Sequence, residues 1–407
     1  MRTGLLGRKL AHSLSPLIHG YLAPYRYELF EREEAELPAF FADESIRAFN
    51  VTIPYKVHAF HACDELSDTA KAIGSVNTVV RRADGTLFGD NTDAFGFSYM
   101  AKQAGAEFKN KKVLILGSGG AGRTVQVVCR TAGAREVIVV SRSGNVNYNN
   151  VFDHADAQIL VNTTPVGMYP KCGVSPLDLT PFRSLECVLD LIYNPLKTAL
   201  LLQAEALGIP YANGLSMLAA QALRSAERFL DTKIDETKIG EIERAVTLSR
   251  RNIVLIGMPG CGKSTVAAAL AKRLDRPAVD TDVLVEATDG RSIPAIFAED
   301  GEAAFRNKET AAARQLGAEL GQVIATGGGC MMRAENRDAL RQNGFVVWLR
   351  RPLEQLARNG RPLSVDAAAL KAMYSQRKGV YEAASDVIVD VDDSIETTVE
   401  RVISCVC

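Results

Sequence analysis

The stretch KVLILGSGGAGRTVQVVCRTAGAREVIVVS, from Lys112 to Ser141, carries the clearest fold signal in the chain. An aliphatic run leads through a glycine-rich turn into an amphipathic segment closed by Gly133, and a second aliphatic run follows. This order predicts a strand, a helix and a strand joined as a βαβ unit. The glycine spacing alone also fits an incidental turn, but its place between strand and helix favours dinucleotide binding, with backbone amides facing the pyrophosphate. The glycines predicted to bind the dinucleotide are Gly117, Gly119, Gly120 and Gly122.

The end of the second strand indicates which dinucleotide is bound. NAD sites tend to place an acidic residue there, where it accepts a hydrogen bond from the ribose 2′-hydroxyl. This chain has VVSRSG at that point, with Arg142 and no nearby carboxylate. An arginine in a loop can also be merely solvated, but at this position it favours contact with a 2′-phosphate. The sequence therefore predicts NADP(H).

A second glycine-rich signature, VLIGMPGCGKST from Val254 to Thr265, follows the aliphatic run NIVLI about 140 residues later. It matches GxxxxGK[ST], the loop whose backbone amides hold the phosphates of ATP or GTP. Lys263 is expected to reach the β and γ oxygens, and Ser264 is expected to hold Mg2+. The predicted nucleotide-binding residues of this loop are Gly257, Gly260, Gly262, Lys263, Ser264 and Thr265.

Length and composition set limits on the function. A chain of 407 residues exceeds the size of about 250–300 residues at which a single core stops growing, so two or three domains are expected. The formal charge of −1 and the mixing of both signs predict no nucleic-acid partner. No apolar run is long enough to span a bilayer, and Arg8 and Lys9 interrupt any leader-like segment. Eight scattered cysteines favour a reducing, cytoplasmic location, with Cys261 in the phosphate loop as the one that could be accessible.

Seven motifs outside the βαβ unit carry a resemblance to the shikimate dehydrogenase family over about residues 1–245. They are LAHSLSPLIHG from Leu10, FNVTIPYK from Phe49, IGSVNTVV from Ile73, FGDNTDAFGF from Phe88, NTTPVGM from Asn162, DLIYNP from Asp190 and NGLSMLAAQA from Asn213. The resemblance implies a substrate domain at residues 1–100, a Rossmann domain at 101–212, and helices at about 213–245 that pack back on the first domain.

This resemblance also implies roles for single residues. Lys56 matches the catalytic lysine and Asp93 the catalytic aspartate; in isolation each would be assigned as an ordinary surface lysine or helix-capping aspartate. An ammonium group near a ring ketone can protonate the alkoxide that forms on reduction, which agrees with these roles. Gly214 and Met217 would border the nicotinamide, although Met217 could equally be a core residue. The residues that match the family's substrate contacts are Ser13, Ser15, Thr52, Asn77, Tyr193 and Gln221.

The C-terminal part, residues 250–407, resembles shikimate kinase in the motifs VDTD, FRNKE, IATGGG, GRPL and YSQRKGVYE. The resemblance implies that Asp282 contacts the ring hydroxyls and helps to take a proton, and that Asp280 orders magnesium. Arg306 and Arg377 would bind a carboxylate, because a guanidinium offers a planar fork of donors. Gly328 would lie in the substrate-binding loop. Singly, each arginine could be a solvated surface charge. The resemblance implies that Arg361 is a catalytic lid arginine over the phosphates and that Arg358 also binds the nucleotide; only two residues separate them, so the lid is expected to be short.

We therefore expect an α/β protein in which a Rossmann dehydrogenase is fused to a P-loop kinase with a parallel sheet. The implied reactions are the NADPH-dependent reduction of 3-dehydroshikimate and the ATP- and Mg2+-dependent phosphorylation of shikimate. Three alternatives remain: a dehydrogenase that uses quinate or NAD, a kinase for another polyol such as gluconate, and a metabolite sensor without catalysis. Oligomeric state is left open. The mixed-charge stretch from Asp231 to Asn252 is expected to be a helix end followed by a short join.

Overall fold

The structure is a computed structural model that describes residues 2–11, 13–356, 367–391 and 394–406. These residues divide into two compact units. The first comprises Met1–Val166, Ser175–Tyr193 and Gln203–Val246, and the second comprises Gly167–Val174, Asn194–Leu202 and Thr247–Cys407. No helix in the described ranges is both long and apolar enough to cross a membrane.

The first unit begins with a mixed sheet whose strand order is β2-β1-β3-β5-β6-β4. Strands β1, β2 and β3 run parallel, whereas β5 is antiparallel to both β3 and β6. Aromatic rings fill one side of this sheet, where Phe40 meets Phe30 and Phe49 edge-on at 5.3 and 5.0 Å. The elements are β1 (Arg2–Gly7), α1 (Ser15–Leu22), β2 (Tyr27–Glu31), α2 (Leu37–Ala42), β3 (Ile46–Val51), α3 (Lys56–Ala62), β4 (Glu65–Leu66), α4 (Asp68–Ile73), β5 (Thr78–Arg81), β6 (Leu87–Asp90) and α5 (Asp93–Gln103).

The second sheet of this unit is parallel throughout, with the order β11-β10-β9-β7-β8. The predicted βαβ unit is confirmed as β7, α6 and β8. Its first strand is fully buried because helices cover both faces of such a sheet, which favours a continuous aliphatic run over alternation. The elements that follow α5 are β7 (Lys112–Leu116), α6 (Gly120–Thr131), β8 (Glu136–Val140), β9 (Ile159–Asn162), β10 (Cys187–Asp190), α7 (Ala199–Ala206), β11 (Tyr211–Ala212), α8 (Leu215–Leu230) and α9 (Thr237–Arg250).

Helices α5 and α8 pack against each other at a glycine. A Cβ atom added to Gly96 would lie 2.5 Å from the carbonyl oxygen of Met217 and 3.0 Å from Cβ of Gln221. Only glycine lets the two backbones approach this closely. The contact brings the first turn of α5, which carries Asp93, beside the middle of α8, which carries Gln221.

The expected join between Asp231 and Asn252 is wrong in one respect, because most of it is the separate helix α9. The helix forms because Ile239, Ile242 and Val246 are spaced three and four residues apart and are all buried. An apolar stripe of that spacing stabilises a helix even in a charged stretch.

The second unit is built on a parallel sheet with the order β13-β14-β12-β15-β16, as predicted for a P-loop domain. Its core includes the fully buried Trp348, whose ring centroid lies 5.9 Å from that of Tyr381. The elements are β12 (Asn252–Ile256), α10 (Lys263–Leu274), β13 (Ala278–Asp280), α11 (Thr281–Asp289), α12 (Ile293–Glu299), α13 (Gly301–Ala318), β14 (Val323–Ala325), α14 (Ala334–Arg341), β15 (Gly344–Arg350), α15 (Ala367–Ala384), β16 (Val387–Asp390) and α16 (Ile395–Val406).

Candidate active sites

The first unit holds an ion pair between two helix starts. Lys56 is the first residue of α3 and Asp93 is the first residue of α5, and Lys56 Nζ lies 2.6 Å from Asp93 Oδ2. An aspartate at a helix N-terminus is favoured by the helix dipole, whereas a lysine there is disfavoured and needs a partner. The side chains of Lys56 and Asp93 are 26% and 14% exposed, so the pair is largely shielded and still reachable by a small molecule.

Asn77 fixes the second oxygen of Asp93. Its Nδ2 donates to Asp93 Oδ1 at 2.9 Å, while its Oδ1 accepts the backbone N–H of Thr92 at 2.8 Å. A backbone N–H can only donate, so this contact determines which end of the amide is the oxygen. Asn77 therefore presents an N–H to Asp93 and leaves Oδ2 for Lys56.

Strand ends bring the other predicted substrate residues to the same sheet edge. Ser13 and Ser15 follow β1, and Thr52 follows its parallel neighbour β3, with the Thr52 N–H donating to Leu6 O at 2.9 Å. Ser15 opens α1, and its N–H donates to Ser13 Oγ at 3.2 Å. A serine hydroxyl beside the positive end of a helix suits a carboxylate ligand. Ser13, Ser15 and Thr52 therefore lie at the carboxyl edge of β1 and β3. Lys56, the first residue of α3, follows β3 at the same edge.

Gln221 and Tyr193 come from later in the chain. Gln221 is buried on α8, where its Nε2 donates to Leu218 O at 2.9 Å and its Oε1 lies 3.5 Å from Thr92 Oγ1. Because Thr92 precedes Asp93, Gln221 lies beside the ion pair. Tyr193 is half-buried and follows β10, at the carboxyl edge of the parallel sheet.

The glycine turn between β7 and α6 fits a pyrophosphate. Gly117 has a φ of 108°, which other residues rarely adopt, and a Cβ atom on Gly122 would clash with the carbonyl oxygen of Gly117. Gly119 and Gly120 are exposed, and a Cβ atom on either would meet nothing within 4 Å. The turn is therefore closely packed at Gly117 and Gly122 and open at its Gly119–Gly120 rim.

The remaining predicted cofactor residues of this unit have different surroundings. Arg142 is exposed two residues after β8. A Cβ atom on Gly214 would clash with the carbonyl oxygen of Leu191, so a backbone contact requires glycine there. Met217 packs against the core cluster that contains Phe97, which agrees with its alternative assignment as a core residue.

The phosphate loop of the second unit connects β12 to α10. Gly257, Gly260 and Gly262 have φ angles of 142°, 84° and 101°, so the loop uses conformations that favour glycine. Lys263 is buried at the start of α10, and its Nζ donates to the carbonyl oxygens of Gly257 and Met258 at 3.0 and 3.1 Å. These contacts fold the lysine over the loop that would hold the phosphates.

Ser264 and two aspartates lie on the other side of this loop. Ser264 Oγ donates to Asp280 Oδ2 at 2.8 Å, and Asp280 Oδ1 accepts the N–H of Asp282 at 2.9 Å as the N-cap of α11. Thr265 is exposed at the next position of α10. A hydroxyl and a carboxylate next to a phosphate loop are oxygen ligands of the kind that Mg2+ prefers.

Asp282 has an environment that disfavours its charged form. Burial, together with the neighbouring carboxylates of Asp280 and Glu309, raises its pKa from 3.8 to about 6. Its Oδ1 is buried without a hydrogen-bond partner among the described residues. A Cβ atom on Gly327 would clash with this oxygen and lie 2.9 Å from Glu309 Oε1. The absence of a side chain at Gly327 therefore leaves room for both carboxylates beside the loop after β14.

The arginines Arg306 and Arg377 approach the same glycine loop. Arg306 Nη1 donates to Glu309 Oε2 at 2.9 Å, and a Cβ atom on Gly329 would lie 2.5 Å from that nitrogen. Arg377 Nη1 donates to the carbonyl oxygen of Gly328 at 2.9 Å. The loop thus places two guanidinium groups near the Asp282 carboxylate, which suits an acid that also carries hydroxyl groups.

Four residues of the second unit differ from the rest in how the structure describes them. The predicted lid residues Arg358 and Arg361 lie outside the described residues. Cys261, the cysteine that could have been accessible, is fully buried within the phosphate loop, as expected for the other cysteines of the chain. Glu309 was missed, although its position three residues after Arg306 on α13 is a spacing that indicates a helical ion pair.

Comparison with known proteins finds matches for both parts of the chain. A family model described as shikimate dehydrogenase substrate binding domain matches residues 5–79, and one described as shikimate kinase matches residues 259–407. A protein of Clostridium perfringens named shikimate dehydrogenase (NADP(+)) is 33% identical over 255 residues, which cover 58% of this chain and 94% of that protein. A protein of Caldicellulosiruptor bescii with the same name is 36% identical, over 56% of this chain and 88% of the other. The chain belongs to the shikimate dehydrogenase family.

Solved shikimate dehydrogenases share the fold of the first unit. A crystal structure from Thermus thermophilus, in complex with NADP(H) and shikimate, has 34% identity and a TM-score of 0.55 and covers 60% of this chain and 99% of that one. A chorismate mutase/shikimate 5-dehydrogenase fusion protein from Clostridium acetobutylicum has 35% identity and a TM-score of 0.56, with coverages of 60% and 96%. This chain joins its shikimate dehydrogenase part to a shikimate kinase domain.

Proposed function

We propose that the chain is a bifunctional enzyme that reduces 3-dehydroshikimate to shikimate with NADPH and phosphorylates the shikimate 3-hydroxyl with ATP. The observation that carries the proposal is the presence, in one chain, of two polar sites of different chemistry. One is the Lys56–Asp93 ion pair, and the other is the cluster of Asp282 with Arg306 near the phosphate loop. Both matching families are named for the same hydroxylated acid, which the first site would produce and the second would consume.

We assign the two reactions to three domains. Residues 1–100 would bind the dehydrogenase substrate, residues 101–212 would bind NADP(H), and residues 250–407 would form the kinase. The close approach of α5 and α8 at Gly96 supports the inclusion of the helices at about 213–245 in the substrate domain.

The dehydrogenase site would work by proton donation from Lys56. Bound NADPH would supply the hydride to the ring ketone. The Lys56 ammonium would donate a proton to the oxygen that becomes the hydroxyl, while Asp93 would hold the ammonium and accept a hydrogen bond from a substrate hydroxyl. Asn77 supports this geometry because it occupies the other oxygen of Asp93.

Other residues would orient the substrate and the dinucleotide. The hydroxyls at the start of α1 suit the substrate carboxylate, and the Gly119–Gly120 rim suits the pyrophosphate. Arg142 would contact the 2′-phosphate. The substrate would be surrounded by Ser13, Ser15, Thr52, Asn77, Tyr193 and Gln221.

In the kinase site, the shikimate 3-hydroxyl would attack the γ-phosphorus and lose its proton to Asp282 as the bond to the β-phosphate oxygen breaks and ADP leaves. A carboxyl with a pKa of about 6 is mostly ionised at pH 7 and can accept this proton. Arg306 and Arg377 would bind the substrate carboxylate, and Lys263 would exchange its loop carbonyls for phosphate oxygens. Mg2+, held through Ser264 and Asp280, would neutralise phosphate charge.

We place the enzyme in the cytoplasm. The described cysteines from Cys63 to Cys405 are all free thiols, as expected in a reducing compartment.

The test gives the purified full chain shikimate with NADP in one cuvette and shikimate with ATP and Mg2+ in another. We expect NADP reduction in the first and ADP release in the second. Quinate and NAD replace shikimate and NADP in further dehydrogenase assays, and gluconate replaces shikimate in a further kinase assay. A higher kcat/KM for gluconate would overturn the kinase substrate, and one for quinate or NAD would overturn the dehydrogenase assignment. No turnover of any kind would favour a sensor.

A further inference from the structure

Three hydroxyl groups meet in the interior of the first unit, behind the Lys56–Asp93 pair. They belong to Thr78 on β5, Thr92 just before α5 and Ser225 on α8, and we call them the hydroxyl cluster. The oxygen atoms of Thr78 and Ser225 are 2.9 Å apart, those of Thr92 and Ser225 are 3.0 Å apart, and those of Thr78 and Thr92 are 3.1 Å apart. All three residues are at most 1% exposed, so water does not compete for these bonds.

The direction of the hydrogen bonds starts at Ser225. Its hydroxyl donates to the backbone carbonyl of Gln221 at 2.9 Å, and a carbonyl can only accept. Ser225 has a single proton, so its oxygen acts as an acceptor toward its other neighbours. Asn50 Nδ2 donates to it at 2.8 Å, and the Thr92 hydroxyl, 3.0 Å away, can donate to it as well.

The cluster continues to both ends of the Asn77 amide. Thr78 Oγ1 donates to Asn77 Oδ1 at 2.9 Å, and Asn77 Nδ2 donates to Thr92 Oγ1 at 3.0 Å. The same Nδ2 donates to Asp93 Oδ1. The amide that holds the catalytic carboxylate is thus itself held by two hydroxyl groups.

The far end of the network is also fixed. Asn50 Nδ2 donates to the backbone oxygen of Asn77 at 3.1 Å, which directs Asn50 Oδ1 toward Tyr27. The Tyr27 hydroxyl donates to that oxygen at 2.7 Å, and its ring stacks on His19 with centroids 4.0 Å apart. The side chains that reach Asn77 are therefore buried and are tied to one another by several hydrogen bonds.

We propose that Thr78 and Ser225 are positioning residues of the dehydrogenase, which orient Asn77 so that Asp93 holds Lys56 in the geometry for proton donation. Ser225 lies one helical turn after Gln221, so the cluster also ties the substrate-binding helix α8 to this pair. The inference rests on the proposed dehydrogenase activity. It assigns the network a role in turnover as well as in folding.

The test compares full-chain variants in the shikimate and NADP assay. Thr78→Val removes the hydroxyl at constant shape, Thr78→Ser keeps it, and Ser225→Ala removes the hydroxyl on α8. Thr3→Val is the matched control, because Thr3 is a fully buried threonine of the same sheet whose hydroxyl donates to Arg26 O at 2.8 Å. Kinase activity of each preparation normalises for the amount of chain, and KM for shikimate in the dehydrogenase assay reports whether the first unit is folded.

We expect Thr78→Val and Ser225→Ala to lower the dehydrogenase kcat by about tenfold and to change KM for shikimate by less than about twofold, since the loss is one of alignment. Thr78→Ser and Thr3→Val are expected to keep a kcat within about twofold of the unmodified chain. Equal loss in Thr3→Val or Thr78→Ser would overturn the inference, as would an unchanged kcat in Thr78→Val. If the unmodified chain itself reduces no NADP with shikimate, the proposed function fails instead.

Discussion

Asp93 and Asp282 are the central carboxylates of the two units, and their surroundings differ. Both Asp93 oxygens have partners, since Lys56 lies 2.6 Å from one and Asn77 lies 2.9 Å from the other. Asp282 lies among other carboxylates, has one buried oxygen without a partner in the described ranges, and has a pKa raised to about 6. This difference supports the proposal that Asp93 holds a proton donor and that Asp282 accepts a proton.

The largest expected effect is the loss of one activity at a time when the lysine of either site is replaced. Lys56→Ala removes the proton donor and should lower the dehydrogenase kcat on the order of 10²-fold or more, with kinase turnover nearly intact. Lys263→Ala should do the reverse, because it removes a charge at the transferred phosphate. Both activities are measured on each preparation.

The controls for these two substitutions are Lys71→Ala and Lys272→Ala, which remove exposed lysines from the same two units. Neither should change either activity by more than about twofold. A single lysine change that abolishes both reactions would show that the two sites are not independent.

Cofactor choice is the next effect in size. Arg142→Ala should reduce the preference for NADP over NAD by about 10- to 150-fold, since a charge-assisted contact contributes about 1.5–3 kcal/mol. The measurement is the ratio of kcat/KM for the two dinucleotides. Arg130→Ala, at the exposed end of α6, is the control, and an unchanged ratio in Arg142→Ala would rule out its phosphate contact.

The kinase activity should depend on pH through the Asp282 carboxyl. Because the pKa of Asp282 is about 6, the carboxyl is ionised at pH 7 and protonated at pH 5, where it can no longer accept a proton. The kinase kcat should therefore be about tenfold lower at pH 5 than at pH 7. A kcat that is constant across this range would contradict the role of Asp282 as a base.

The same shift predicts a stability effect. A raised pKa means that the folded state binds this proton more tightly than the unfolded state, so Asp282 destabilises its unit increasingly as pH rises from about 4 to about 6. Asp282→Asn should accordingly raise the midpoint of thermal unfolding at pH 7 and leave it nearly unchanged at pH 4. Calorimetry at the two pH values checks this, and an equal shift at both would contradict it.

The smallest expected effect concerns the acidic partner of Arg306. Glu309→Gln removes the buried carboxylate that holds the guanidinium and should raise KM for shikimate in the kinase by about fivefold. Glu302→Gln is the matched control, because Glu302 contacts the same arginine at 3.1 Å but is 66% exposed, against 1% for Glu309. Equal effects of the two changes would show that Glu309 does not determine the position of Arg306.

Local patterns of sequence predicted much of this molecule. Both glycine turns and the strands before them could be predicted, because each is formed by residues that are adjacent in the sequence. The parallel sheets follow from the βαβ order. The helix α9 was missed, although Ile239, Ile242 and Val246 have the spacing that indicates it. The mixed charge of this stretch obscures that periodicity.

The contacts that orient the site could not be predicted in the same way. Asn77 and Ser225 are 148 residues apart and meet through Thr78 and Thr92 only after α8 packs on α5. Serine and threonine occur in many settings, so their residue types indicate no such cluster. The raised pKa of Asp282 likewise depends on burial beside Glu309, a property of the folded chain.

The most direct test of the account supplies the full chain with 3-dehydroshikimate, NADPH, ATP and Mg2+ together and follows NADPH and ADP in the same sample. We propose that the shikimate made at the first site is the substrate of the second. Each NADPH consumed should therefore be followed by release of one ADP, with shikimate 3-phosphate as the final product. NADPH oxidation with accumulation of shikimate and no ADP above the control without substrate would contradict the account.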